Sequence, residues 1–181
     1  MKSGKISVAV ICGLIAGLLM VLLAAILYHG GVETYMGNIA YLAYVILIVL
    51  AVIAAVKEKK ANNGYLEFRH ALKTIFLVFV IALALYSFFT YILLNYVDPA
   101  FRKQVDKAVI ENWERILQRW GASQEKIDEM REQAKHQNTE PSIFGALLGL
   151  AMYYVLFFVI ALLIAAIVKK KKTEFQDTAF K

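Results

Sequence analysis

The sequence predicts an all-α integral membrane protein with four transmembrane helices and an extracytoplasmic helical hairpin between spans three and four. Three observations predict it. The chain has 181 residues, 60% of them hydrophobic and 19% charged, with a mean hydropathy of +0.60, whereas soluble domains run near 45–50% apolar and about 25% charged. The apolar residues are gathered in four blocks free of Asp, Glu, Lys and Arg, at 6–32, 34–56, 74–97 and 141–168. The one long polar connection, 97–142, carries apolar residues at helical spacing. With 2 Pro, 10 Gly and 1 Cys, the composition excludes a disordered chain, a collagen and a disulfide-stapled secreted fold, and the length suits one domain.

A hydrocarbon core about 30 Å thick needs roughly 20 helical residues, so each block is long enough to span. Lipid offers no partners to backbone N–H and C=O groups, which makes a spanning segment of this kind helical. A barrel would show short alternating segments. The predicted spans are about 6–28, 37–56, 73–96 and 143–168 of the single membrane domain. The first follows Lys2 and Lys5 as a signal peptide would, but its apolar run is longer than the roughly 7–15 residues of a signal core, and no small-residue cleavage site follows. Ile11 stands before Cys12 where a lipoprotein signal needs a small residue. The segment is expected to be a retained span.

Basic residues predict the threading. Twelve of the 20 Lys and Arg lie at the two termini and between spans two and three. None lies in 30–36, and the 8 in the long connection are offset by 9 acidic residues. The positive-inside rule then puts both termini in the cytoplasm, and the net +6 records topology, not affinity for nucleic acid. Lys169, Lys170, Lys171 and Lys172 form a stop-transfer anchor, or bind anionic lipid at about 1 kcal/mol per Lys.

Between spans two and three, Asn62, Asn63 and Gly64 break the chain, and Tyr65, Phe68 and Leu72 then predict an amphipathic turn in the interface. Glu67 and His70 make one Glu-x-x-His pair, where a di-iron bundle needs two and further Glu residues. In the long connection, Asp98-Pro99 signals a helix start. Phe101, Val105, Val109, Trp113, Ile116 and Trp120 form its apolar face, ended by Gly121 as a C-cap. Ser123 starts a second helix carrying Ile127, Met130 and Ala134, which ends near 138–141. The apolar face is expected to rest on the partner helix, the membrane surface or another protein.

Chemistry inside the spans is thin. No Asp or Glu lies in any span, which disfavours a proton-coupled exporter. His29, His70 and His136 lie at an interface or outside, where they cannot hold haem between spans, and Cys12 has no second Cys for a disulfide relay. No catalytic, cofactor-binding or metal-ligating residue is therefore assigned, no cofactor is expected, and an enzyme is the least supported class. Two features remain. Gly13-x-x-x-Gly17 and Gly145-x-x-x-Gly149 are small-residue motifs that let helices approach. Ser87, Thr90, Tyr91 and Asn95 form a polar stripe in span three, serving either interhelical hydrogen bonds or the wall of a small wet cavity.

Several short motifs resemble a bacterial domain-of-unknown-function family of small four-span inner-membrane proteins. They are Lys2 with Gly13 and Gly17, Gly64-Tyr65-Leu66-Glu67-Phe68 leading to Ala71-Leu72-Lys73, Asn95-Tyr96-Val97-Asp98-Pro99, Gly121-Ala122-Ser123, and the Gly-containing last span ending in lysines. The resemblance implies four helices with an outer helical insert, and no activity. Two roles stay open. One is a non-enzymatic scaffold or accessory subunit of the bacterial inner membrane, using Trp113, Trp120 and the glycine-lined faces. The other is a channel or transporter for a neutral or lipid-like solute, lined by the polar stripe. Expected partners are the lipid bilayer, anionic lipid at the cytoplasmic face, and a protein partner or a second copy; nucleic acid is not expected. Single cysteines placed at Ser3, Ser123 and Thr178 in a Cys12-free background test the threading. Position 123 should react with a membrane-impermeant thiol reagent from outside only, and reaction from the cytoplasm alone would reverse the orientation.

Overall fold

The computed structural model describes residues 7–136 and 143–170. Lys2, Lys5, Lys171, Lys172, the side chain of Ala134 and the expected end of the second outer helix near 138–141 lie outside the described residues. Four helical runs are long and apolar enough to cross a membrane: Val8–His29, Gly31–Ala61, Phe68–Val97 and Ile143–Val168. The first is α1, Val8–His29, started by the Ser7 hydroxyl accepting from the Ala9 N–H at 3.3 Å. The second is broken where a 30–36 loop was expected. It comprises α2 (Gly31–Tyr35), a 3-10 turn (Asn38–Tyr41) and α3 (Leu42–Ala61). The third comprises α4 (Phe68–Ile92) and a π-helical turn (Leu93–Val97). The fourth is α7, Ile143–Val168.

The helix α4 is the hub with the most extensive contacts, to α1, α3 and α7; α3 also touches α1 and, over a smaller area, α7, while α1 and α7 do not meet. Its buried residues Ala71, Thr74, Ile75, Val78, Phe79, Ala82 and Leu83 recur at the three- and four-residue spacing of one broad helix face, the face that its neighbours cover. Lipid tails are as apolar as Leu, so shape complementarity and not water exclusion holds such helices together. The first glycine motif supplies that shape. A Cβ on Gly13 would lie 3.0 Å from the Ile81 Cβ, and one on Gly17 would lie 3.2 Å from the Ala82 Cα. Cys12, Ala16 and Met20 are buried along the same helix.

At the basic end, the chain ties α4 to α7. The amphipathic turn expected from Tyr65 is instead extended. The Leu66 N–H donates to the Lys170 carbonyl at 2.9 Å, and the Lys170 N–H donates to the Leu66 carbonyl at 2.8 Å. Phe68 opens the helix and packs with Leu72 against the core. Lys59 donates to the Val168 carbonyl at 2.9 Å, placing a cation on the negative end of α7. Lys169 and Lys170 each lie 5.8 Å from an aromatic centroid, of Phe68 and Tyr65 respectively. Lys169 and Lys170 thus fasten the end of α7 to the start of α4.

At the other end, Asp98 turns the chain from α4 into α5 (Pro99–Arg119). One carboxylate oxygen accepts from the Phe101 N–H at 2.8 Å and the other from the Tyr28 hydroxyl at 2.8 Å. Phe101 stands edge-on to Tyr28 and Tyr35, at 4.8 and 5.4 Å between centroids. The predicted cap and the proline at the first helical position are therefore in place. The far end of α5 is a Schellman motif. Trp120 is the cap itself, and Gly121, at φ +76°, follows it in the left-handed region. The Gly121 N–H donates to the Gln118 carbonyl at 3.1 Å and the Ala122 N–H to the Leu117 carbonyl at 3.0 Å.

The second helix of the hairpin, α6 (Gln124–His136), packs on α5 alone among the described elements. It buries Ile127 and half-buries Met130, and Arg131 grips Glu114 through two bonds of 2.8 Å. It leaves the apolar face of α5 divided. Phe101 and Val105 are buried, but Trp113 is 54% exposed and Trp120 81%. The partner helix therefore does not cover the outer half of that face. Overpacking a tight helix contact costs about 1–3 kcal/mol, so Gly17→Leu should lower the thermal midpoint in detergent by that equivalent. Gly149→Ala should not lower it, because a Cβ there meets nothing within 4 Å.

Candidate functional site

The glycines of α7 do something different from those of α1. This helix docks on α4 through Phe157, Ala161 and Ala165, one residue per turn at spacing four. The Tyr154 hydroxyl donates to the Val80 carbonyl at 3.1 Å. Nearer the hairpin end, residues 143–149 are all exposed. A Cβ on Gly149 would meet nothing within 4 Å, so this glycine does not serve a close helix contact. Gly145 and Gly149 form the floor of a groove of about 410 Å³ between the hairpin ends of α4 and α7.

The polar stripe forms the facing wall. Ser87, Thr90, Tyr91 and Asn95 all line this groove, and Asn95 also accepts a hydrogen bond from Arg102 of the next helix, so both expected uses are found in the stripe. Thr90 donates back into its own helix, to the Tyr86 and Ser87 carbonyls at 3.0 and 3.1 Å. Asn95 sits in the π turn, which ends with the Asp98 N–H donating to the Leu93 carbonyl at 2.8 Å. A widened turn leaves carbonyls without their usual partner, and the Asn95 amide donates to the Tyr91 carbonyl at 2.7 Å.

Sequence reasoning missed the top of the groove. Arg102 and Asp106, from the first two turns of α5, complete its lining. The Arg102 Nη1 donates to the Asn95 side-chain oxygen, and its Nε lies 3.5 Å from the Asp106 Oδ2. That oxygen is shut off from solvent and makes no hydrogen bond among the described residues. The available signal was spacing. Arg102, Asp106, Val109, Trp113, Ile116 and Trp120 follow one another at intervals of three and four, so they share a side of α5. Reading the helix for its apolar face alone hid the charged pair that begins the same row.

A second groove, about 350 Å³ and walled by Ala84, Phe88, Ile143 and Leu147, joins the first along Ser87, Tyr91, Ala146 and Leu150. One seam therefore separates hydrogen-bonding groups from an apolar groove. The larger cleft beneath α5, about 700 Å³, is lined by Glu33, Lys107, Glu111 and Arg115. Its lining is mainly charged and polar, with Lys107 3.8 Å from Glu111, so it offers little of this contrast.

Metal chemistry finds no constellation among the described residues. Glu67 and His70 are not joined by further carboxylates in a bundle interior; His70 lies at the surface, 3.5 Å from Glu58.

Electrostatics holds the groove's roof in place. The Phe101 N–H, and after it the Tyr28 hydroxyl, keep the Asp98 carboxyl below the usual carboxylate range. Arg131 does the same for Glu114. A depressed carboxyl gives its full stabilisation above the ordinary carboxylate range and loses it as pH falls through the lowered value. Acid should therefore speed hydrogen exchange in the first turn of α5. Tyr28→Phe should move that midpoint to higher pH, because it removes one of the bonds that lower it. An unchanged midpoint would show that the Tyr28 bond does not hold the corner.

No curated protein and no solved structure shows significant similarity to the chain. One family model, described as "Protein of unknown function (DUF4199)", matches residues 11–170, a stretch that takes in all but the first three residues of the four spans, with the groove and its roof. The chain belongs to the DUF4199 family.

Proposed function

We propose that this is a non-catalytic, multi-pass protein of the bacterial inner membrane that takes a lipid-like amphiphile from the bilayer into the groove between α4 and α7. The observation that carries this reading is the shared seam. Groups able to hydrogen-bond a polar head lie on one side of Ser87, Tyr91, Ala146 and Leu150, and an apolar wall able to hold a chain lies on the other. Ligand sites of this size are apolar with a few placed polar groups. The arrangement favours handling of a lipid-like solute over a purely scaffolding role.

The placement in the bacterial inner membrane rests on the family resemblance and on the clustering of Lys and Arg at one end of the spans. The same charge distribution supports cytoplasmic termini. Lys169 and Lys170, already stacked on aromatic rings, support contact with anionic lipid there. A role for a protein partner or a second copy rests on Trp113 and Trp120, the exposed outer half of the α5 face.

The test is to fill the groove. Gly149→Leu places a side chain into open space without disturbing the bundle. Lipid retained through mild-detergent purification, counted by native mass spectrometry, should fall about tenfold with the thermal midpoint unchanged. Undiminished retention would remove the groove from consideration.

A further inference from the structure

The head end of the groove carries an ion pair, Arg102 with Asp106, that lacks a hydrogen bond between its members. Asp106 presents an oxygen hidden from solvent and without a hydrogen bond, although its side chain as a whole is 40% exposed. The nearest cation, the Arg102 Nε, stands at 3.5 Å, within ion-pair range but beyond the usual 2.7–2.9 Å of a charge-assisted bond. Arg102 spends one guanidinium nitrogen on Asn95, leaving further N–H donors of its five. An acceptor lacking a donor is costly, and because the Asp106 side chain is 40% exposed and lines the groove, a molecule lying there can bring a donor to the accessible side of the carboxylate.

Charge decides which molecule that is. An anionic head would suit Arg102 but meet Asp106 at close range. A head with only a quaternary ammonium would bring positive charge but no N–H to the Asp106 oxygen. A head carrying a phosphodiester next to a primary ammonium satisfies both, with the ammonium donating to Asp106 and the phosphate accepting from Arg102. We infer that the groove selects a zwitterionic amphiphile of the phosphoethanolamine class, with Asp106 reading the ammonium and Arg102 the phosphate. This inference rests on the lipid-binding reading above and adds its head-group chemistry. The chain of such a molecule would run from the seam along Phe88 and Leu147, which line the apolar groove.

The experiment reconstitutes the full chain in vesicles holding equal parts of phosphatidylethanolamine, phosphatidylcholine and phosphatidylglycerol. Retained lipid is then identified by native mass spectrometry after extraction. The wild-type protein should retain the ethanolamine lipid about tenfold over the other two. Asp106→Asn should abolish that preference and raise the share of phosphatidylglycerol while total lipid is kept, and Asp106→Glu should restore the preference. Equal retention of the three lipids, a wild-type preference for phosphatidylglycerol, or an Asp106→Asn protein with the preference intact would each overturn the inference. Gly149→Leu separates the two levels. If it abolishes retention while the wild-type head-group profile is flat, the groove stands and the phosphoethanolamine assignment falls. If it leaves retention unchanged, the groove reading falls and takes this inference with it.

Discussion

Each of the other three spans packs against α4. In lipid, helices gain little from burying apolar surface and associate where their shapes fit. The glycines of α1 let its backbone settle against Ile81 and Ala82, while Phe157, Ala161 and Ala165 seat α7 on the same hub. Because α7 is held there and by the Lys59, Leu66 and Lys170 bonds at the basic end, its other half separates from α4. The groove is a consequence of that lopsided attachment. A helix fixed along one half leaves a wedge beside the other.

The roof of the wedge depends on a single turn. Asp98 receives the Phe101 N–H and the Tyr28 hydroxyl, so the end of α1, the end of α4 and the start of α5 meet at one carboxylate. Four residues beyond Asp98 comes Arg102, and four beyond that Asp106, so the direction of α5 decides that both overhang the groove. The π turn immediately before, with Asn95 donating to Tyr91 and accepting from Arg102, joins the same corner to the polar wall. Polarity thus rises along the groove toward the hairpin end, while the flank beyond the seam stays apolar. A molecule with a polar head and a hydrocarbon chain meets the same gradient at the edge of a bilayer.

The architecture was legible because its determinants are local. Charge-free blocks of bilayer length set the spans, and Asp98-Pro99 set the start of α5 before any contact was known. Gly121 was legible as a stop, one residue beyond the cap that Trp120 occupies. The two glycine motifs were indistinguishable, since Gly13 and Gly149 differ only in what faces them, Ile81 in one case and open space in the other. Tyr65 looked like the first residue of an amphipathic helix because its spacing to Phe68 and Leu72 is helical. Pairing of Leu66 with Lys170, more than a hundred residues away, keeps it extended. The groove itself was half legible. Its polar stripe lies within one span, but Arg102 and Asp106 join it only through the fold of a different helix.

The most direct measurement is where a bound lipid sits. A phospholipid with a photoactivatable group in its acyl chain, incorporated into vesicles with the protein, should crosslink chiefly to peptides containing 84–91 and 143–150, the two walls of the apolar groove. Labelling spread evenly over the exposed apolar faces of α1, α3 and the basic half of α7 would mean that lipid merely surrounds the bundle, and would contradict the groove as its binding site.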